Sequence, residues 1–339
     1  MTELYNDELY EHHSFEVEKN HDFIRIDKFL LLRLPNTSRT KIQKSILSGY
    51  VFCNNKKVKA NYKVKPLDKI SIRFEYEPYN KEILPENIPL DIIFEDKSVV
   101  VLNKPSNMVV HPSYGHYTGT LVHALLYKYS DLNKDDANNQ RPGLVHRLDK
   151  NTTGLMVVAR NSLALNHLSA QFADRSIQRK YLALVWGDVK DDTGTIVGSI
   201  GRNKKNRKLM TVFDDNEEGK HAVTHYKVLE RFRYVTLIEC KLETGRTHQI
   251  RVHMKYIGHP LFNDFEYGGD KILRGTTFSK YKQFVFNCFK ALPRQALHAT
   301  SLRFIHPVSN KLVSFDAGLP HDMNSVIMRW RNYVEYQLD

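Results

Sequence analysis

The stretch GLVHRLDKNTTGLMVVAR, residues 143–160, places one carboxylate, Asp149, in a polar segment between two apolar runs. The runs GLV and GLMVVA have the composition of buried strands, so the segment between them is predicted to be a loop held by rigid flanks. His146, Arg147 and Lys150 surround Asp149, and neighbouring positive charges favour the ionised form of a carboxylate. Taken alone, the pattern fits a solvated turn with surface salt bridges as well as a catalytic acid.

Charge is distributed unevenly along the chain. Residues 1–22 carry seven acids against Lys19, residues 23–73 carry thirteen Lys and Arg against two acids, and the 339-residue chain has a net charge of +12. We expect residues 1–22 to be an acidic, disordered tail. Residues 23–75 are expected to be a small domain that binds a polyanion, although solubility alone would also account for such a basic segment.

The basic segment has the pattern of two short helices followed by strands. IRIDKFLLLRL has apolar residues at helical spacing, and SRTKIQKSILSG predicts a second helix that begins near Ser38 and ends at Gly49. Strands are predicted at YVFCNN, KKVKANYKV and DKISIRFEYE, with a turn at Asn54-Asn55. Five basic residues lie along the helix pair as a cationic face suited to phosphates: Arg25, Lys28, Arg39, Lys41 and Lys44.

A proline-containing linker at residues 76–90 leads into a large domain, residues 91–320. Helices are predicted at TLVHALLYKYS and NSLALNHLSAQFADRS, and strands at KYLALVWG, HAVTHYKVLERF and YVTLIECKLE. Strands outnumber helices and do not alternate with them in βα units, so the sequence predicts an α+β fold with a mixed, mainly antiparallel sheet. Residues 321–339 are predicted to form an amphipathic C-terminal helix.

Two further segments contain candidate partners for Asp149. RKYLALVWG places Tyr181 at the start of an apolar strand, where the ring is suited either to stack on a base or to close the strand end. In LETGRTHQIRVHMKYIGHPLFND, residues 242–264, Gly245 precedes a helix that would hold Arg251 on a rigid element.

The histidines and cysteines lack metal-ligand spacing. His248, His253 and His259 are five and six residues apart, unlike the i, i+4 pair typical of zinc on a helix, so we expect no metal site. Three isolated cysteines are predicted to be packing residues of a protein in a reducing compartment: Cys53, Cys240 and Cys288. Because the chain has no apolar run of about 18 residues and no signal peptide pattern, we expect a cytoplasmic protein without membrane contact.

These segments together resemble the RluA-type pseudouridine synthases, whose motifs correspond to HRLD, RKYLA and QIRVH here. NKPSNMVVHPSYGHYTGTLVHALL, YGGD and RQALHATSLRFIHPVSN are similar to blocks of the ribosomal large subunit pseudouridine synthase D subgroup. Residues 23–75 resemble the RNA-binding domain first described in ribosomal protein S4.

The resemblance implies a pseudouridine synthase fold and the conversion of specific uridines in large-subunit (23S-type) ribosomal RNA, free or in a pre-ribosomal particle. It implies that Asp149 is the nucleophile or the base at the sugar, that Arg251 pairs with it, and that Tyr181 stacks on the uracil. RNA contacts or supports of the site are expected at His146, Arg147, Lys150, Arg246 and His248. We expect no cofactor, because the isomerisation exchanges neither electrons nor phosphate, and we expect a monomer.

Two other classes of function compete with this interpretation. Glycoside hydrolases also break an anomeric bond but typically need two carboxylates, and we identify no second acid in the matching motifs apart from Glu243. A non-catalytic RNA-binding or ribosome-assembly protein would explain the basic N-terminal segment. Dehydrogenases and nucleotide hydrolases are disfavoured because the chain lacks a glycine-rich phosphate-binding loop.

Overall fold

The computed structural model describes residues 9–34, 37–75, 83–113, 115–132, 141–213 and 218–335. The chain divides into two compact units, residues 1–82 and 83–339. Ile88 and Leu90 already pack on the core of the second unit, so the last part of the predicted linker belongs to that unit. Among the described residues, no helix is long and apolar enough to cross a membrane.

The first unit contains the two predicted helices and a four-stranded sheet in its described residues. The helices are α1 (Ile26–Arg33) and α2 (Arg39–Leu47), and the strands are β1 (Tyr10–Glu16), β2 (Val51–Cys53), β3 (Lys56–Lys57) and β4 (Lys69–Phe74). The strands are antiparallel in the order β1-β4-β2-β3. Asn54 and Asn55 have φ of 50° and 63°, the conformation of a two-residue hairpin turn. The strand predicted at KKVKANYKV is formed only at Lys56–Lys57.

The prediction of a disordered tail is wrong for residues 10–16. This segment forms β1, which pairs with β4 along its length and completes the edge of the sheet. Two apolar side chains explain the order, because Val17 is fully buried and Phe15 packs against the same small core. Residues 1–8 of the predicted tail lie outside the described residues.

A buried carboxylate links α1 to α2. Asp27 has no exposed side-chain surface and accepts hydrogen bonds from Arg25 (3.0 Å), Arg39 (2.9 and 3.0 Å) and Gln43 (2.8 Å). Burial alone raises the pKa of Asp27, but the hydrogen bonds from Arg25, Gln43 and Arg39 outweigh it and hold the pKa far below its usual value. Arg25 and Arg39 of the predicted phosphate-binding face therefore form ion pairs with Asp27. The other three cations of that face are exposed lysines: Lys28, Lys41 and Lys44.

Substitution Asp27→Asn is expected to lower the free energy of unfolding of the first unit by about 2 kcal/mol, because it removes the charge that both guanidinium groups bind. The contribution of a carboxylate with a lowered pKa is present above its unfolded pKa of about 3.9 and is lost as the pH falls. The difference from wild type should therefore shrink in acid. Urea unfolding with hydrogen exchange of the α1 and α2 amides measures this effect. The exposed Asp22→Asn is the matched control, and equal protection in both variants would contradict the role of Asp27.

The second unit is built around one large sheet. Its strands are β5 (Ile92–Glu95), β6 (Val99–Lys104), β7 (Thr153–Ala159), β8 (Gln178–Trp186), β9 (Thr193–Arg202), β10 (Met210–Phe213), β11 (Lys220–Arg231), β12 (Val235–Leu242), β13 (Leu297–Ile305) and β14 (Leu312–Asp316). Its helices are α3 (Leu121–Lys128), α4 (Ser162–Ala173), α5 (Gln249–Tyr256), α6 (Ser279–Ala291) and α7 (His321–Glu335). The predicted C-terminal helix is thereby confirmed for the described residues 321–335.

The described strands follow the order β10-β9-β11-β12-β8-β13-β7-β6-β5, with β14 paired to β13. Among the described strand pairs only β7 and β13 run parallel, so the predicted mixed, mainly antiparallel sheet is confirmed.

Alternation along the strands places side chains on both faces of this sheet. In β6, Val100 and Leu102 join the core that includes α3 and α5, whereas Val99 and Val101 join the core formed with α4. In β8, Trp186 faces α6 and α7 instead. The cysteines are confirmed as buried, free packing residues: Cys53, Cys240 and Cys288. Because helices cover both faces, a cavity that reaches this sheet is expected beside a helix, at loops and strand ends.

Two local features differ from the sequence patterns. The predicted strand GLV contributes only a single bridge, from Leu144 to Val158. Helix α6 was not predicted, because SKYKQFVFNCFKA mixes lysines with aromatic side chains that contribute little intrinsic helix preference. Its buried residues Tyr281, Val285 and Cys288 pack in the core with Trp330 of α7, a partner that local sequence does not reveal.

Candidate active site

Asp149 lies in the wall of a cavity of about 410 Å³. The other walls are the HRLD segment itself, the end of α4, the start of β8, and residues 242–251. The three segments singled out from the sequence therefore meet at one place in the fold.

Two glycines allow the HRLD loop to pack against the sheet. Gly143 has φ of +66°, and a Cβ added there would lie 2.2 Å from the carbonyl oxygen of Ala159. Gly154 has φ of +116°, and a Cβ there would lie 2.2 Å from the carbonyl oxygen of Ala299. Both positions combine an unfavourable backbone region with a closed space, so only glycine fits without movement of the neighbouring strand.

Side chains from distant segments hold the backbone of the loop. Lys104 is fully buried and its Nζ donates to the carbonyls of Pro105 (2.7 Å), Met108 (3.0 Å) and Lys150 (3.1 Å). Burial lowers the pKa of Lys104 to about 7, and the charge of Asp149 opposes this shift. The ammonium form has one proton for each of the three carbonyls.

Two residues of the segment 294–310 hold the loop from another direction. Arg294 Nη1 donates to the carbonyl of Asn151 (3.2 Å), and Gln295 Nε2 donates to Thr152 Oγ1 (3.3 Å). Lys104, Arg294 and Gln295 all lie in blocks that the sequence singles out, but no local pattern assigns them a role. Their function as supports depends on contacts between residues far apart in the sequence.

The predicted contact between Arg251 and Asp149 is present. Arg251 lies on α5, has a side chain only 3% exposed, and places Nη1 3.2 Å from Asp149 Oδ2. The same guanidinium binds Asp264 through Nε (2.7 Å) and Nη2 (2.8 Å), and Glu266 through Nη2 (2.5 Å). Burial lowers the pKa of Arg251, but the carboxylates more than offset this and raise the pKa above its usual value. Arg251 is therefore a permanent cation held beneath Asp149.

Two carboxylates lie beside Arg251, those of Asp264 and Glu266, and Asp264 corrects the expectation that the motifs contain no further acid apart from Glu243. Asp264 ends the quoted segment 242–264, and Glu266 follows two residues later. Asp264 is fully buried, and nothing in the surrounding sequence predicts a buried carboxylate at this position. Its spacing of thirteen residues from Arg251 corresponds to no secondary-structure period, so only the fold shows the pair.

Tyr181 faces the side of the sheet on which the cavity lies. It alternates along β8 with Leu182, and its neighbours on the same face are Ala183 and Val185. Burial raises the pKa of Tyr181, the charge of Asp149 raises it further, and Arg179 opposes both, so the phenol is neutral at pH 7. Arg179, which sequence analysis did not assign to the site, also lines the cavity.

Other predicted site residues have distinct environments. His146 accepts a hydrogen bond from the Val157 amide at Nε2 (3.0 Å) and stacks on Phe172; burial, followed by Arg179, lowers its pKa to about 3. It is therefore neutral and braces the loop, and offers no positive charge to RNA. Arg147 is exposed in the cavity wall.

Lys150 and Arg246 were also predicted as contacts. Lys150 Nζ lies 3.4 Å from His116 Nε2, and Arg246 lines the cavity while its Nε donates to the His221 carbonyl (3.1 Å). Lys150 therefore lies in the loop next to a histidine, whereas Arg246 lies in the cavity wall and is partly engaged by a backbone carbonyl.

The three histidines of the third motif do not converge. His248 Nδ1 contacts the Tyr267 hydroxyl (2.7 Å), His253 Nδ1 contacts Thr224 Oγ1 (3.0 Å), and His259 Nδ1 contacts the Trp186 carbonyl (2.8 Å). Of the three, His248 lines the cavity.

Comparisons with known proteins identify the family. Residues 98–256 match the model of the RNA pseudouridylate synthase family, and residues 24–70 match the S4 domain. An RNA pseudouridine synthase of Bacillus subtilis is 47% identical over 91% of this chain and 94% of its own length. The chain belongs to the RNA pseudouridine synthases. This synthase is an isomerase that acts on RNA, and it has an S4 domain at its N-terminus.

Two further similarities extend the comparison. The ribosomal large subunit pseudouridine synthase D of Zymomonas mobilis is 42% identical over 88% of this synthase and 91% of its own length. The solved structure of human RNA pseudouridylate synthase domain containing 1 aligns with a TM-score of 0.52 at 26% identity, covering 71% of this chain and 89% of that one. The predicted pseudouridine synthase fold is thus confirmed.

Substitution Lys104→Met is expected to loosen the loop that carries Asp149, because three carbonyls lose their donor. Amides of residues 146–152 should exchange faster with solvent, and turnover should fall about 10- to 100-fold, since Asp149 is the candidate reacting group and small displacements of such a group are costly. Hydrogen exchange by mass spectrometry and single-turnover assays measure the two effects. Lys97→Met, an exposed position, is the control. Unchanged exchange in the Lys104 variant would show that this lysine does not hold the loop.

Proposed function

We propose that this enzyme converts specific uridines of large-subunit ribosomal RNA into pseudouridine, with Asp149 as the reacting carboxylate. The main support for the proposal is that the two oxygens of Asp149 have different surroundings. Oδ2 is held by Arg251, whereas Oδ1 accepts no hydrogen bond from the described residues, which leaves it for a substrate. The similarity to the Zymomonas mobilis enzyme supports ribosomal RNA as the substrate.

The reaction is an isomerisation in which every atom of the uracil is retained. The bond from C1′ of the ribose to N1 of the base breaks, the uracil turns, and C5 bonds to C1′. C5 then loses its proton, and N1 gains one. Asp149 acts either as the nucleophile at C1′ or as the base that takes a proton from the sugar. Arg251 holds Oδ2 of the carboxylate in either case.

The target uridine must leave its stack to reach Asp149, at a cost of roughly a few kcal/mol. Tyr181 supplies an aromatic face in the cavity on which the uracil stacks. Four cationic side chains in the cavity wall are suited to the flanking phosphates: Arg147, Arg175, Arg179 and Arg246. Arg147, which is exposed and lies in the HRLD motif with the aspartate, is the candidate to fill the gap that the uridine leaves in the RNA.

Substitution Asp149→Asn is expected to abolish pseudouridine formation, with a loss of turnover on the order of 10³-fold or more, because the amide keeps the shape of the side chain but lacks the reacting charge. Pseudouridine is mapped chemically across total ribosomal RNA from cells that lack this protein. The same map is made after complementation with wild type, Asp149→Asn or Asp149→Ala.

Wild type should restore each large-subunit site lost on deletion, and neither variant should restore any. Leu163→Ala, an exposed change on α4, is a control that should restore all sites. If deletion removes no large-subunit site, the substrate assignment is wrong. Full restoration by Asp149→Asn would overturn the role of Asp149.

The S4 domain is proposed to bind phosphates through its exposed lysines. Replacement of Lys28, Lys41 and Lys44 by Gln should weaken RNA binding and reduce the slope of log affinity against log salt by about 2 to 3, since each phosphate that is no longer neutralised removes close to one unit. Filter binding over a salt series measures the slope. Lys311→Gln, an exposed position between β13 and β14, should leave it unchanged. An unaltered slope in the triple variant would remove these lysines from the RNA interface.

A further inference from the structure

His248 approaches the oxygen of Asp149 that Arg251 does not hold. Its Nε2 lies 3.8 Å from Asp149 Oδ1, whereas Arg251 Nη1 lies 3.2 Å from Oδ2. His248 immediately precedes α5, and Arg251 lies in the first turn of that helix. One short segment of the chain therefore brings a side chain to each oxygen of the carboxylate.

Tyr267 contacts Nδ1, the ring nitrogen of His248 that faces away from Asp149. The Tyr267 hydroxyl accepts a hydrogen bond from the Met210 amide (3.1 Å) and lies 2.7 Å from His248 Nδ1. Burial raises the pKa of Tyr267 above its usual value, so the hydroxyl keeps its proton. Because the hydroxyl already accepts from Met210, we assign its proton to the contact with Nδ1, and the ¹⁵N measurement below tests this assignment. The neutral imidazole then carries its own proton on Nε2, the atom that faces Asp149.

The backbone of His248 is held in an uncommon conformation that directs the ring into the cavity wall. Its φ is 57°, in the left-handed region that side chains other than those of Asn, Asp and His rarely adopt. The turn is fixed by Gln249, whose side chain accepts from Thr244 Oγ1 (2.7 Å) and the Arg246 amide (3.0 Å) and donates to the Val223 carbonyl (2.9 Å). Strain maintained by such a network is often found at functional positions.

We propose that His248 is a positioning residue for Asp149, whose Nε2–H donates to Oδ1 in the substrate complex and fixes the plane of the carboxylate together with Arg251. The inference rests on the proposed role of Asp149. A separation of 3.8 Å exceeds a hydrogen bond, and contacts of this kind commonly shorten when the substrate occupies the site. Oδ1 has two lone pairs, so one can accept from His248 while the other remains for the sugar. Without this second donor the carboxylate rotates about its bond to Cβ, and Oδ1 is less often aimed at the sugar.

Other charged groups around His248 are compatible with a neutral ring. Asp149, Glu266 and Asp264 favour the protonated imidazolium, whereas burial and Arg251 oppose it, and the pKa of His248 is lowered from its usual 6.5. At neutral pH the ring is therefore the neutral donor that the proposal requires.

A pair of substitutions separates this role from a structural one. In His248→Gln the amide nitrogen reaches the place of Nε2, whereas in His248→Asn it reaches only the place of Nδ1. Asn tolerates the left-handed backbone better than Gln does. A purely structural role therefore predicts that Asn is the better replacement. The positioning role predicts the reverse: Gln keeps kcat within about tenfold of wild type, Asn loses on the order of 100-fold, and KM for RNA is unchanged in both.

The tautomer itself is observable in the unsubstituted full-length chain. Histidine side-chain ¹⁵N spectra should show neutral His248 with its proton on Nε2, with the signal assigned by its loss in His248→Gln. Tyr267→Phe should shift the population towards the Nδ1–H form and lower kcat. A wild-type ring protonated on Nδ1, or an Asn variant at least as active as the Gln variant, would overturn the proposal.

The proposal about His248 and that about Asp149 fail in different ways. If Asp149→Asn is active, the function proposed for Asp149 is wrong and the inference for His248 falls with it. If Asp149→Asn is inactive while His248→Asn has wild-type kcat, only the inference for His248 is wrong.

Discussion

The site depends on one desolvated cation, the guanidinium of Arg251. Removing such a group from water costs several kcal/mol, which is recovered only through opposite charges with good geometry. Asp264 supplies this by binding the guanidinium with both oxygens, and Oδ1 also accepts the backbone amides of Glu266 and Tyr267 at 3.2 and 3.3 Å. Helix α5 is thereby locked to the segment that follows it. The remaining nitrogen, Nη1, has one fixed direction, and Asp149 lies along it.

Charges of opposite sign lie around the cavity: arginines line its wall, and carboxylates surround Arg251. Three carboxylates contact the single guanidinium of Arg251, so this group of side chains has an excess of negative charge. The buried Lys104 is a further cation near Asp149. The cavity wall instead carries four arginines: Arg147, Arg175, Arg179 and Arg246. Phosphates are attracted to these arginines and repelled by the carboxylates around Arg251. A nucleotide whose phosphates contact the arginines would have its sugar and base near Asp149, as the proposed chemistry at C1′ requires.

The residues proposed to react could be picked out from the sequence, but the residues that support them could not. Asp149, Tyr181 and Arg251 each occur in a short motif, which can be recognised from a few consecutive residues. Asp264, Lys104 and Gln295 act through contacts with residues far along the chain, so no local pattern marks them. The same limit explains two errors in the fold. The acidic charge of residues 1–22 indicated disorder, yet β1 is ordered by pairing with β4, and α6 depends on packing against α7. The charge and periodicity of a segment are properties of that segment alone. Whether it becomes ordered also depends on the strand or helix with which it packs in the fold.

The number of carboxylates also bears on the competing glycoside hydrolase interpretation. Such enzymes typically place two carboxyl groups at the scissile bond, one of which delivers a proton to the leaving group. Among the described residues, Asp264 and Glu266 do not line the cavity, and Asp264 binds Arg251 with both oxygens, so neither acid is placed to protonate a leaving group there. Glu243 does line the cavity, but its Oε1 binds His225 on β11 at 2.6 Å. In an isomerisation the departing uracil stays bound and reattaches through C5, so no leaving group has to be protonated for release. A single carboxylate with one free oxygen is sufficient for that reaction.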